Sequence, residues 1–233
     1  MAEADRLDAL CRLRGVPELA RTLWPDGEVK ATAEFQRRLA EELVREVSEF
    51  LPLLGGSGAR LLEWMLVRLH VKAPTAQVSW EEFAISLPAG PLRESVEEAS
   101  ENPARPFFME AALDRGYYRE LLARAAGLPE DIERLVRHEA ETFQRSLLAR
   151  GRANYGLATE VLAQFQVLDK IPAKPTERYR LANRAMRRSP TGLGTVMGYV
   201  ILRRIEIANL TTISEGIRLG LSDEIIRRSV IHV

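Results

Sequence analysis

The residues with the strongest claim to chemistry are Glu206 and Asn209, in the run "RRIEIANLTTISEGIRLGLSDEIIRRS" (203–229). Three positions apart, they share one face of a helix, among Ile205, Ile207, Ala208 and Leu210. A carboxylate and an amide so placed could hold a ligand. A carboxylate among apolar neighbours also needs a partner for purely structural reasons. The simpler reading is therefore a hydrogen-bonding pair that ties its helix to a neighbour.

His138 and Glu141, in "RHEAE", form a second candidate. A di-iron helix places Glu three residues before His, and that position holds Leu135. There is no HExxH, no GxxxxGK[ST] and no GxSxG. Cys11 is the only cysteine, so neither an intrachain disulfide nor a cysteine-pair zinc site can form. The lone thiol fits a reducing compartment. The other histidines are His70 and His232. "GLGTVMG" (192–198) follows no strand signal and reads as small residues for close helix packing. Glu41-Glu42 and Glu97-Glu98 are adjacent, so on a helix they point apart and read as solvated faces. The expectation is no catalytic residue, no cofactor and no metal. An enzyme centred on Glu206, Asn209 and His138 is the rival reading.

Composition narrows the partners. Lys+Arg and Asp+Glu are both 33 in 233 residues, so no net field steers the whole chain toward nucleic acid or an anionic membrane. Arginines pair at 37-38, 187-188, 203-204 and 227-228, but acids lie between them. Nucleic acid is not an expected partner. Arg187 and Arg188 suit an anionic protein surface or lipid headgroups. The N-terminus carries acids and arginines where a signal peptide needs an apolar core. The uncharged stretch 190–202 is too short to span a bilayer. The expected location is the cytoplasm, with any membrane association peripheral.

Helices must position these residues. Clean strand alternation and Asn-Gly turns are missing, while Leu, Ala, Arg and Glu abound. Phe35, Leu39, Leu43, Val47 and Phe50 make one apolar stripe. Gly55, Gly56 and Gly58 read as a loop before a helix over 59–71, which Pro74 ends. A short helix or a docking turn is expected at 80–85, a short helix at 92–99, and a longer one over 107–126 broken at Gly116. "ENPARP" and "DKIPAKPTE" read as proline linkers. Pro129 and the acids after it start a helix whose face is Ile132, Leu135, Val136, Ala140, Phe143 and Leu147. It ends near Gly151 or Tyr155-Gly156, and "LATEVL" starts a further short helix. Residues 179–186 are helical, Pro190 interrupts, and two helices close the chain.

Segments 141–162 and 206–226 echo each other. Each begins with Glu, has an amide three residues on (Gln144, Asn209) and reaches a Gly-Leu pair (Gly156-Leu157, Gly220-Leu221). A weaker echo lies at 58–73. In the second copy, Gly220 can close a helix in the left-handed region and Ser222 can cap the next. Asp223 and Glu224 would lie in that helix's first turn, and Arg227 and Arg228 in its last, as its dipole favours. The fold class is all-α, in repeated helical units. Residues 1–105 would hold an eroded first unit, 106–170 a second and 171–233 a third.

These blocks resemble the C subunit of V/A-type rotary ATPases, called subunit d in the eukaryotic enzyme. "SPTGLGTVMGYVILRRIEIANLTTISEGIRLGLSDEIIRRSV" (189–230) carries the closest likeness, and "DRGYYRELLARAAGLPEDIERLVRHEAETFQRSLLARGRANYGL" (114–157) adds to it. The family shows an apolar helix, Glu-x-x-Asn, a Gly-Leu corner and a short final helix. Glu206, Asn209, Gly220, Leu221, Glu141, Gly156 and Leu157 occupy such motif positions. This chain departs from the family around 68–80, where Pro74 stands in an expected helix. The resemblance implies a funnel or socket of helices that catalyses nothing. It would join the proteolipid ring to the central shaft in ATP-linked proton or sodium transport. The rival within binding proteins is a helical-repeat scaffold of another assembly.

Overall fold

A computed structural model describes residues 2–26, 29–70, 79–100, 106–171, 178–188 and 192–230. Among them are twelve α-helices and no strand, so the all-α class holds. In chain order the helices are α1 (Ala2–Cys11), α2 (Val16–Leu23), α3 (Thr32–Phe50), α4 (Gly56–His70), α5 (Trp80–Ser86) and α6 (Pro91–Ser100). There follow α7 (Pro106–Ala125), α8 (Glu130–Tyr155), α9 (Thr159–Ala163), α10 (Arg178–Arg188), α11 (Leu193–Arg218) and α12 (Asp223–Ser229). The linkers at 101–106 and 169–177, together with Pro74, Pro190 and His232, lie wholly or largely outside the described residues.

The chain forms two compact units, residues 1–50 with 198–233, and residues 51–197. In the first, the apolar stripe of α3 is buried at Phe35, Leu39, Leu43 and Val47. Phe35 and Leu39 join Leu7 and Leu10 of α1, Leu19 and Ala20 of α2, Leu210 and Ile213 of α11, and Ile226 of α12 in one core. Cys11 is buried there, and its burial raises the thiol pKa. Trp24 packs edge-on to Phe35, with the Arg38 guanidinium over its ring. The N-terminal helices offered little periodicity to read, yet α2 is strongly two-faced once its eight residues are aligned.

In the second unit α7 packs against α4, α6 and α8. Trp64 stacks on Tyr117 at 6.2 Å, and Tyr118 on Phe143 at 4.7 Å. The Trp64 indole N–H donates to the Tyr117 carbonyl at 3.0 Å. Ser79 and Glu82 form a capping box at the start of α5, a device that satisfies two backbone donors reciprocally.

Glycine produced two further departures from the expected elements, besides the unread α1 and α2. Helix α7 runs unbroken through Gly116. A Cβ at that position would sit 2.5 Å from the Pro91 carbonyl oxygen and 2.8 Å from the Leu92 Cα. Gly116 is thus a point of close backbone approach by α6, not a break. Gly56 and Gly58, expected in a loop, lie in the first turn of α4, where Leu193 fills the space over Gly58 at 3.3 Å.

Candidate functional site

Glu206 lies half-buried on α11 and accepts from Arg203 one turn earlier on the same helix. Arg6 of α1 stands 3.8 Å from its other carboxylate oxygen. The tie to a neighbouring helix is made by Arg203 itself. Its Nε and Nη2 donate to the two carboxylate oxygens of Glu46 on α3, at 2.8 and 2.9 Å. Such a forked pair fixes the orientation of both groups. The Tyr199 hydroxyl adds a third donor to Glu46 at 2.8 Å. Glu46 and Tyr199 escaped the sequence reading, and Arg203 entered it only as one of an arginine pair. The Tyr199–Arg203–Glu206 spacing puts the three on one helix face, but their partner lies 157 positions from Arg203 in sequence.

The electrostatics follow from this packing. The Arg203 hydrogen bonds hold the Glu46 pKa below its ordinary value, against the effect of burial, and the Tyr199 bond adds to them. The same bond to Glu46 raises the Arg203 pKa. Burial, then the Glu46 carboxylate, raise that of Tyr199. Every group is thereby held in its ordinary charge state at neutral pH, which suits a structural clasp and leaves none poised to exchange a proton. A second clasp joins the same helices, where the Gln36 side-chain amide donates to Glu215 at 2.8 Å. Asn209 is buried at 3% exposure.

In the other compact unit, Glu141 is buried on α8, with His138 Nδ1 at 3.9 Å from its carboxylate. Burial lowers the His138 pKa, so the imidazole is neutral. Gln144 clamps the chain after α9. Its Oε1 accepts from the Val167 and Leu168 N–H groups at 3.1 and 2.9 Å, and its Nε2 donates to the Leu168 carbonyl at 2.8 Å. Glu139 pairs with Arg178 of α10. Of the enzyme candidates, Glu206 and Asn209 share the first unit, while His138 belongs to the second.

The two Gly-Leu corners have closely related geometry. Gly220 has φ of 67°. The Gly220 N–H donates to the Ile217 carbonyl, and the Leu221 N–H to Gly216, closing a Schellman motif. Gly156 has φ of 60°. Its N–H donates to Arg152 and the Leu157 N–H to Gly151, so that corner closes one residue wider. At each corner a helix glycine receives an aliphatic side chain from the next helix. A Cβ at Gly216 would lie 2.5 Å from Ile226, and one at Gly151 would lie 2.5 Å from Leu162. Gly151 therefore stays inside α8, which ends at Tyr155. The Ser222 hydroxyl caps α12 by accepting from the Ile225 N–H at 3.4 Å. Asp223 and Glu224 occupy its first turn, and Arg227 and Arg228 its last. Arg227 also meets Asp8 of α1 at 3.2 Å. Leu221 is exposed and Leu157 is partly buried. At the α10 terminus Arg187 is exposed, while Arg188 pairs with Asp131 at 2.9 Å.

A cleft of about 690 Å³ opens in the second unit, with Glu133, Arg137, Asp169 and Lys170 around Leu122 and Leu168. None of the residues singled out from the sequence lines it. Among the described residues, no group of three or more His, Cys, Asp or Glu is placed to hold a metal ion.

The corner, its cap and the Glu206–Asn209 helix all fall inside one stretch that matches a known family. Residues 175–229 match the ATP synthase (C/AC39) subunit family. The resemblance to the C subunit is thereby borne out over α10, α11 and α12. The central block, 114–157, lies outside the matched stretch. No curated protein and no solved structure matches the chain. Among the described residues, no helix is long and apolar enough to cross a membrane.

Proposed function

We propose that this chain is a non-catalytic central-stalk adaptor of a V/A-type ATPase or ATP synthase. It would seat the rotating shaft on the membrane proteolipid ring and so couple ATP chemistry to proton or sodium transport. The single observation that carries this reading is the family match over residues 175–229. Its physical support is stiffness. Torque passes through an element only if that element resists deformation, and close-packed helices with few voids do so. The Glu46–Arg203 clasp and the glycine-to-aliphatic packing at Gly216 and Gly151 are fixed contacts of that kind. On this reading the protein sits in the cytoplasm and meets the membrane only through the ring. The division into repeated units at 1–105, 106–170 and 171–233 is part of the proposal, with the two corners as its anchor. Arg187 is the better placed of the two interface arginines, since Arg188 is engaged by Asp131.

A second reading, a helical-repeat scaffold of another assembly, draws on the confinement of the match to about a quarter of the 233 residues. Purification of the tagged chain from membranes of its own cells separates the two. The first reading expects proteolipid and central-shaft subunits in fixed stoichiometry. A complex without either would replace it with the second.

A further inference from the structure

Among the described residues eight large apolar side chains are exposed, and five of them lie at the two Gly-Leu corners. Single leucines scattered over a surface need no explanation, but a concentration at two turns does. The placement is the same at both. Tyr155 and Leu219 stand immediately before the corner glycines Gly156 and Gly220, at 42% and 58% exposure. Val161 and Ile225 stand five residues after those glycines, at 37% and 50% exposure. Each is the third residue of a short helix, α9 or α12. Packing does not require them. Leu162 and Ile226, the next residues, are the ones that fill the space over Gly151 and Gly216. Leu157 and Leu221 follow the glycines, where the turn itself uses an apolar side chain. The Tyr155 ring meets Phe107 at 4.6 Å between centroids, whereas Val161, Leu219 and Ile225 belong to no part of the buried core. Helix propensity does not call for them either, since a β-branched residue on an exposed turn is a weaker helix former than Ala, Lys or Glu.

We propose that the two corners are knobs that dock in equivalent, uncharged apolar grooves on copies of one partner protein. The repetition selects the occupant. Both turns keep an exposed apolar residue before the glycine and a β-branched one after it, and like knobs fit like holes. Oligomers built of identical subunits are how one partner presents the same groove more than once. Charge points the same way. Arg218 is held by Glu215 and Arg228 by Glu224, while Arg152 donates to the Thr159 hydroxyl. An acid, Glu160 or Glu224, stands directly before each β-branched knob. An anionic bilayer wants cations beside the inserted apolar side chains, so it fits these corners poorly. Any partner built of like subunits can offer such grooves, and the rotary reading is not a premise.

The test puts the photo-crosslinking residue benzoylphenylalanine in the full chain, in its own cells, in place of Val161, of Ile225 or, as a control, of Ile85 in α5, which is 68% exposed. Irradiation should join the first two variants to one and the same polypeptide and leave the third without it. The double variant Leu219→Ser with Ile225→Ser should retain about tenfold less of that polypeptide on purification, with an unchanged melting temperature. If the double variant melts lower, the crosslinks decide. Different polypeptides at the two corners, adducts with lipid alone, no adduct, or the same adduct from Ile85 would overturn the proposal. A shared polypeptide that is neither a proteolipid nor a shaft subunit would uphold the docking and remove the rotary reading. Proteolipid and shaft subunits that co-purify while the two corners capture different polypeptides would do the reverse.

Discussion

Replacing Glu46 by Gln would leave Arg203 with Glu206 as its remaining acidic partner, and a single neutral oxygen would stand where two carboxylate oxygens accept from Arg203 and the Tyr199 hydroxyl. A half-buried guanidinium that loses a forked partner is costly, so Glu46→Gln should destabilise the protein by about 1–3 kcal/mol at neutral pH. The pH dependence has a definite sign. The Glu46 pKa is lowered in the fold from an ordinary 4.5. The unfolded chain therefore takes up this proton first as pH falls. The clasp contributes fully above that value and is lost as pH drops through the depressed one. Thermal melts of wild type and Glu46→Gln should differ at neutral pH and converge in acid. A gap that stays constant with pH would show that ionisation of Glu46 is not what stabilises the fold. Glu206 and Asn209 were legible at this scale because both polar groups sit at helical spacing among apolar residues. Glu46 was not, since in its own sequence it looks like any solvated acid of an amphipathic helix. Only the return of α11 to α3 gives it a partner.

At the scale of elements, glycine decides more than charge does. Gly220 lies in the left-handed region, so Gly220→Val should cost about 1–2 kcal/mol or more and lower the melting temperature. An unchanged melt would show that the corner is not held in that conformation. Helix glycines separate by what they face. Gly116 meets the backbone of Pro91 and Leu92, which cannot step aside, whereas Gly216 meets the aliphatic side chain of Ile226. Gly116→Ala should therefore destabilise more than Gly216→Ala. Chemical denaturation of the two variants gives the order directly, and the reverse order would contradict the α6–α7 packing. Most helices were legible from apolar periodicity, including α3 and α8. The corner was legible in detail, because Gly220, Ser222 and the charges of α12 each have a local reason for their place. Gly116 was misread as a break because a lone glycine in a helix signals either weakness or close approach, and only the position of α6 tells which. Helices α1 and α2 were not read, although Val16, Leu19 and Ala20 give α2 a buried face.

For the molecule as a whole, the family likeness was legible in the last 40 or so residues, where the motif positions are dense, and the family match lies there. The likeness read in 114–157 lies outside the matched stretch, which begins at residue 175. The mechanical reading requires that the chain matter to ion transport while taking no part in the chemistry of ATP. Cells lacking the chain should yield membranes in which ATP no longer drives an ion gradient, and the protein alone should hydrolyse no ATP. The most direct measurement is ATP-dependent proton or sodium uptake by such membranes, before and after addition of the purified chain. The account predicts that uptake is absent without the chain and returns with it. Uptake that proceeds at the full rate in its absence would contradict the account.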